Sequence, residues 1–373
     1  MEQFKHAMLR EIYEQPAAIG RTIGLYLDET GLRPDVARSL AQWESPMGEM
    51  MITACGSSRH SGLAAQIMFE VLCGLAVDVE YASEYSCRHS PNLRKPSVIV
   101  LSQSGETSDT LLALREAIHC GQKTLAITNV ADSSMAREAN LSMPLGAGVE
   151  SAVPATKSFT CQLTLLYLLA LYEGFRLRRM EAAELAEQIL ELRSLPELIA
   201  GQLDQWRDQA RFLAHKYATA TSFLYLGRGI HYAIAREGAL KMKEASYVHA
   251  EGYPTGELRH GPNALVSDQV PLVVVATQDR AVPESVVRYE NTLVLLDDMK
   301  EQGAKVIAMA NAGDERVPLL VDDCIFVQSA SEYLLPISEV VPFQLFSYFM
   351  AIEHGIDMDR PRNLTKAVIA HKE

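Results

Sequence analysis

No two cysteines in this chain lie close enough in sequence to make a CxxC pair. The six, Cys55, Cys73, Cys87, Cys120, Cys161 and Cys324, are scattered, and several sit among apolar neighbours. Such a distribution reads as reduced thiols in a cytoplasmic protein. The ten histidines show no metal-ligand spacing, so neither a metal nor another cofactor is expected. Long Lys/Arg clusters are absent and the formal net charge is -13, which argues against a general affinity for nucleic acid or anionic membranes. An anionic small molecule would need a local basic pocket. The longest apolar stretch, Leu163 to Tyr172, is too short to span a bilayer and reads as a buried helix. Residues 1–16 lack the look of a signal peptide, because Glu2, His6, Arg10, Glu11 and Glu14 interrupt any apolar core. What remains, at 373 residues with 48% hydrophobic and 22% charged, is the composition of an ordinary soluble globular protein. Its length suits two similar domains or one large one.

Against that background one segment stands out. Ser97-Val98-Ile99-Val100-Leu101 is a short β-branched run of the kind found in buried parallel strands, and Ser102-Gln103-Ser104-Gly105-Glu106-Thr107 follows it directly. A helical pattern from Leu111 to Ile118 comes next. Strand, polar loop and helix start together place hydroxyls of Ser102, Ser104 and Thr107, the amide of Gln103 and free helical N–H groups around a phosphate-sized space, where the helix dipole favours an anion. The alternative is a simple N-cap cluster, in which Ser and Thr only terminate the helix.

Comparing the chain with itself reveals a duplication. Met50 to His60 is a strand and a Gly-containing turn leading into a helical pattern over Gly62–Leu72, and Ser222 to His231 leads in the same way into Ala233–Tyr247. Further on, Gly121 to Asn129 echoes Gly303 to Asn311. Each copy alternates strands and helices, so the expected fold is α/β: two tandem doubly wound parallel sheets with ligands at the strand C-termini. Val273 to Arg280 stands where the first copy has its Ser/Thr loop, and one phosphate site per chain follows. The expected organisation is an N-terminal helical segment over residues 1–45, broken at Pro16 and Pro34, then a first subdomain over 46–175 with the phosphate loop. A charged helical connector over 176–215, broken at Pro196, precedes a second subdomain over 216–356, and an irregular tail with few apolar anchors covers 357–373.

The second copy holds the charged constellation. Lys241 and Glu244 are three apart and share a helix face, so they read either as a proton-transfer pair or as a solvated ion pair. His260, between Arg259 and Gly261-Pro262, reads either as an acid or as a turn histidine, and Gly256 and Gly261 bracket a charged tight turn of the type that often binds ligands.

Taken in order, Ala54 to Ser58, Ser102 to Thr107, Ala155 to Thr160, Leu226 to Gly229, Glu237 to Glu244, His249 to Glu251, Gly256 to Pro262 and Pro361 to Lys366 span nearly the whole chain. Together they closely resemble the sugar isomerase (SIS) domain family, in particular the isomerase half of the glucosamine-6-phosphate synthases. Glu11 to Pro16 looks like the segment that joins that half to a glutaminase domain. The resemblance implies that Ser57, Ser58, Ser102, Gln103, Ser104 and Thr107 hold a sugar phosphate, with Val153 among the substrate contacts. It implies further that Glu244 moves a proton between C1 and C2, that Lys241 handles the neighbouring oxygen, and that His260 opens the sugar ring in the site of the other subunit of a homodimer. Lys366 matches a lysine of the C-terminal tail that closes over the open-chain sugar and forms a Schiff base with a ketose carbonyl. This set needs no metal, since lysines can take up the charge that develops when an α-proton is removed.

Ala155 departs from the family pattern, which has a hydroxyl there, and Asn263 stands where an apolar residue is usual. The chain also starts where a glutaminase domain would have ended, so glutamine is not expected to be its own ammonia source. The expected function is therefore a cytoplasmic, metal-independent aldose-ketose isomerase and deaminase, taking glucosamine 6-phosphate to fructose 6-phosphate and ammonia. The rivals are a deglycase acting on a fructosamine 6-phosphate, a synthase isomerase unit fed with ammonia by a separate glutaminase, and a non-catalytic sugar-phosphate sensor. The expected partners are a small-molecule sugar phosphate and a second copy of the chain, with no nucleic acid and no membrane.

Overall fold

The computed structural model describes residues 4–29, 31–43, 49–88 and 95–366. The chain forms two compact units. One comprises Ala17–Glu150, Lys157–Arg193 and Thr365–Glu373, the other Met1–Pro16, Ser151–Thr156 and Ser194–Leu364. The first helices, α1 (Ala7–Tyr13) and α2 (Gln15–Tyr26), are parted at Glu14. Pro16 is the second residue of α2, a first-turn position where its missing N–H would have no helical partner in any case. A two-residue hairpin, β1 (Leu27–Asp28) with β2 (Gly31–Leu32), precedes α3 (Pro34–Trp43), which starts on Pro34 for the same reason.

The first unit is built on five strands: β3 (Glu49–Ala54), β4 (Ala76–Tyr81), β5 (Ser97–Ser102), β6 (Thr124–Thr128) and β7 (Leu141–Pro144). They lie in the order β4-β3-β5-β6-β7, and every pairing is parallel. All six residues of β5 are buried, as its unbroken apolar run requires of a strand covered on both faces. The helices are α4 (Gly56–Cys73), α5 (Ala82–Cys87), α6 (Ser108–His119), α7 (Ser134–Glu138) and α8 (Lys157–Arg176). Leu163 to Tyr172 lies inside α8, where it is almost entirely buried.

After α9 (Ala182–Ala200) and α10 (Leu203–Lys216), the second unit repeats the plan with β8 (Ser222–Gly227), α11 (His231–Ser246), β9 (His249–Pro254), β10 (Leu272–Val275), α12 (Pro283–Glu301), β11 (Val306–Asn311), β12 (Asp323–Val327) and α13 (Leu335–Glu353). The order β12-β11-β10-β8-β9 is that of the first sheet, again all parallel. β8 therefore corresponds to β3, β10 to β5 and β11 to β6. Two tandem doubly wound α/β repeats are thus present, as the duplication in the sequence required.

One local expectation needs correcting. Pro196 does not break the connector: it lies inside α9, and the chain turns instead at Gly201 and Gln202. The buried side chains of Leu192, Leu195 and Ile199 hold that helix together despite the lost backbone hydrogen bond. Leu163 to Tyr172 is the buried helical segment that its composition predicts, and the helix nearest to a membrane span in length and composition is a different one. α13 is long and apolar enough to cross a bilayer, yet 89% of its apolar window is buried within the fold. It packs against α10 and α11, and its Tyr348 hydroxyl meets His6 Nδ1 at 2.9 Å.

Candidate functional site

In the first repeat the two polar loops open side by side, because β3 and β5 are parallel neighbours with Ala54 opposite Leu101. β3 is also the strand from which the chain passes to opposite sides of the sheet, the position where open α/β sheets bind ligands. Ser57 and Ser58 occupy the first turn of α4, and Ser58 Oγ accepts from Gln162 Nε2 of α8 at 2.9 Å. The same amide group accepts from Ser61 Oγ at 2.9 Å, so Gln162 orients the start of α4 from below.

The second loop is folded on itself. Ser102 Oγ meets Thr107 Oγ1 at 3.0 Å and accepts from the Gly105 N–H at 3.1 Å, while Ser104 Oγ accepts from the Glu106 N–H at 3.2 Å. Gly105 has φ +66°, and a Cβ there would stand 2.1 Å from Ser133 Oγ, so only glycine lets the loop pass. Thr107 is the N-cap residue of α6, yet its side chain makes no capping hydrogen bond. That disfavours the reading of the cluster as mere helix punctuation. Gln103 is anchored through its carbonyl, which accepts from Asn129 N–H at 3.1 Å.

The same unit contains a group that sequence reasoning missed. Glu150 is fully buried, accepts from Ser158 N–H at 3.0 Å and from Ser158 Oγ at 2.7 Å, and meets Lys366 Nζ at 2.7 Å. Burial alone would raise its pKa, but the Lys366 charge and the donors from Ser158 outweigh that and hold it below the usual carboxylate range. Nearby in sequence, the buried Lys157 donates to the Val149 carbonyl at 2.6 Å. The tail is also better anchored than its composition implies. Met358 and Pro361 are buried, and in the second unit the Arg362 N–H donates to Tyr247 Oη at 2.7 Å, with its guanidinium 4.2 Å from that ring. Residues beyond Lys366 lie outside the described residues.

In the second repeat, α11 carries Lys241 and Glu244 as its three-residue spacing requires, and their side chains are in hydrogen-bond contact. Lys241 is fully buried and also lies 3.4 Å from Glu237 Oε1, whereas Glu244 is partly exposed. Desolvation opposes the Lys241 charge, but Glu244 and Glu237 outweigh it and raise its pKa. This is no solvated surface pair. α11 sits close to the sheet because Gly227 and Gly238 lack side chains: a Cβ on Gly227 would lie 2.2 Å from the His231 carbonyl oxygen. His260 ends a 3₁₀ turn, Thr255–His260, is exposed, and makes no hydrogen bond within the described residues. Val153 and Ala155 belong to the short Ser151–Thr156 stretch of the same unit, where the Ser151 N–H donates to the buried Glu11 carboxylate at 2.6 Å.

Two parallel five-stranded repeats, each with a polar strand-to-helix turn at its open edge, define a tandem sugar-isomerase architecture. The SIS domain model matches residues 46–172 and 216–354, and the chain belongs to that family. Among curated relatives, the glutamine–fructose-6-phosphate aminotransferase [isomerizing] of Caldanaerobacter subterraneus is 38% identical over 98% of this chain, and the chain spans 59% of that relative's length. A solved C-terminal domain of a glucosamine-fructose-6-phosphate aminotransferase from Francisella tularensis is 33% identical, covers 95% of this chain and 98% of its own, and superposes with a TM-score of 0.87. A Thermotoga maritima structure described as a glucosamine-6-phosphate deaminase shares the fold at 22% identity and TM-score 0.72, over 98% of this chain and all of its own.

Proposed function

We propose that this chain is a phosphosugar aldose-ketose isomerase that takes glucosamine 6-phosphate to fructose 6-phosphate and ammonia. The observation that carries the reading is the Lys241–Glu244 pair, a buried ammonium bonded to a carboxylate that remains partly accessible. A carboxylate so placed can accept a carbon-bound proton, while the ammonium supplies the proton that the adjacent oxygen needs. The donor loop of the first repeat is assigned the phosphate, through Ser102, Gln103, Ser104 and Thr107 together with Ser57 and Ser58; Val153 is assigned a substrate contact. The names of the relatives support the glucosamine and fructose 6-phosphate pair as the substrate class.

His260 is assigned ring opening, which exposes a C1 aldehyde. Glu244 takes the C2 proton as Lys241 protonates the C1 oxygen, giving an enolamine. Glu244, whose carboxyl is partly open to solvent exchange, then gives a proton to C1, and a proton leaving nitrogen restores Lys241, so C2 becomes an imine and C1 a hydroxymethyl group. Water then adds at C2, the C–N bond breaks and ammonia leaves, with the C2 ketone as product. Lys366, held by Glu150, is assigned to the carbonyl end of the open chain. At low ammonia concentration the reaction runs towards release, because water is the solvent.

The test is to incubate the protein with a panel of amino-sugar and fructosamine 6-phosphates and to measure ammonia and ketose phosphate. Equimolar ammonia and fructose 6-phosphate from glucosamine 6-phosphate is the expected result. Turnover of a fructosamine 6-phosphate alone would make the protein a deglycase, and binding without turnover across the panel would make it a sensor.

A further inference from the structure

The second repeat has lost the Ser/Thr loop, but the position it vacated is not apolar. At the C-terminal edge of β10, the counterpart of β5, three buried donors converge: Ser285 and Arg288 from the first two turns of α12, and His231 from the first turn of α11. All three face one carboxylate. Ser285 Oγ donates to Glu332 Oε2 at 2.6 Å, Arg288 Nη2 donates to the same oxygen at 2.9 Å, and His231 Nε2 lies 3.4 Å from Glu332 Oε1. Glu332 comes from the loop between β12 and α13, where its N–H is held by Asp279 Oδ2 at 3.1 Å.

The donors are themselves fixed. Arg288 Nη1 donates to the Thr277 carbonyl at 2.9 Å, and Arg288 Nη2 and the Asp279 N–H both donate to Ser285 Oγ at 2.8 Å. His231 Nδ1 meets the fully buried Glu339 at 2.7 Å. A buried guanidinium, a hydroxyl and an imidazole arranged around one anion is the donor set that recognises a phosphate.

The fit to a carboxylate is incomplete. Among the described residues, His231 Nε2 and Arg288 Nε are buried with no hydrogen-bond partner. A carboxylate offers two oxygens in one plane, whereas a tetrahedral oxyanion offers four. Ser285 and Arg288 both use Glu332 Oε2, and His231 Nε2, 3.4 Å from Oε1, is left without a hydrogen bond that a further anion oxygen could accept.

We propose that the second repeat retains a phosphate-sized anion site at the C-terminal ends of β8 and β10, built from His231, Ser285 and Arg288, and that the carboxylate of Glu332 occupies it as a resident anion. The ligand class the cradle takes when Glu332 is removed is inorganic phosphate or a phosphomonoester. A self-supplied anion explains why only one repeat keeps an open donor loop. The inference uses the first repeat for location alone and is independent of the reaction assigned above.

The experiment uses the full chain with inorganic phosphate as the probe at constant ionic strength, chloride being the control anion. Glu332→Ala is expected to melt below the wild type in chloride and to recover progressively in 1–50 mM phosphate. Calorimetry should find one more phosphate per chain than in the wild type. Phosphate raising the melting temperature of both proteins equally, or of neither, overturns the proposal. Should Glu332→Ala fail to fold in chloride, its refolding yield from urea is compared in phosphate and in chloride, and equal yields again overturn it. The double variant Arg288→Met/Glu332→Ala removes the cation as well and is expected to show no added phosphate site; an added site in that variant also overturns the assignment.

Discussion

Glu150 and Lys366 stand 216 positions apart in the chain and meet at 2.7 Å, the carboxylate fully buried and the ammonium only partly exposed. A buried carboxylate is tolerated only with such partners, so the last described residue of the tail is fastened to the connection between β7 and α8.

Removing the ammonium should therefore cost stability independently of any role in turnover. Lys366→Met takes the opposite charge away from the buried Glu150 and leaves it its hydrogen-bond donors, a loss of up to about 3–5 kcal/mol. Glu150→Gln/Lys366→Met should recover part of it. Because the folded pKa of Glu150 is depressed, its contribution is present above the ordinary carboxylate value of 4.5 and is lost as pH falls through the lower folded value. Thermal melts of the three proteins at pH 7 check the prediction, and a double variant no more stable than the single one would refute it.

Replacing Ser104 and Thr107 by Ala should weaken binding of a sugar phosphate, each lost hydrogen bond to the charged group being worth about 1.5–3 kcal/mol. Affinity for a non-phosphorylated sugar should not change. Calorimetry with both ligands separates the two, and unchanged affinity for the phosphate ester would place the phosphate elsewhere.

Glu244→Gln keeps the shape of the side chain but cannot accept a proton. Turnover should fall by about 10²–10⁴ with binding largely kept, and exchange of solvent deuterium into C1 or C2 should disappear. A variant that still exchanges deuterium at the wild-type rate would remove Glu244 from the chemistry.

His260 is exposed at the end of its 3₁₀ turn, and the resemblance assigns it to the site of a neighbouring subunit. Mixing inactive Glu244→Gln with inactive His260→Ala should then restore part of the activity through hybrid sites. Sedimentation of the wild type should show a dimer. A fully active monomer would contradict both expectations.

Glu332 is held at a pKa of about 2: burial would raise it, but the nearby His231 and its charge, with Arg288 and Ser285, prevail. Its folded value lies below the unfolded one, so its contribution is complete above about pH 4.5 and disappears as pH falls towards 2, by about 3 kcal/mol in all. Glu332→Gln should lose stability at pH 7 and show a flatter dependence between those limits. Urea midpoints across the range measure this, and parallel curves for the two proteins would be the contrary result.

Much of the architecture was legible in the residues. The β-branched run Ser97 to Leu101 became a wholly buried strand because period and composition act locally, and the echo of Gly121–Asn129 in Gly303–Asn311 became equivalent strands of two sheets. Pro196 was misread because tertiary burial of Leu192, Leu195 and Ile199 overrode a local propensity. The Lys241–Glu244 contact was visible as an (i, i+3) spacing, but its burial was not, since the spacing would be the same on a solvated face.

The amino-acid sequence by itself determined the duplication, the alternation of strand and helix, the single donor-rich loop and the charged face of α11, because each depends on residues within one or two turns or one strand. Only the tertiary structure decided that Glu150 belongs with Lys366, that Gln162 orients Ser58 and Ser61, and that Glu332 fills the place of an anion in the second repeat. Those pairs join residues from distant elements, and a buried charge has no local pattern: its partner is set by which strand ends the parallel topology brings together.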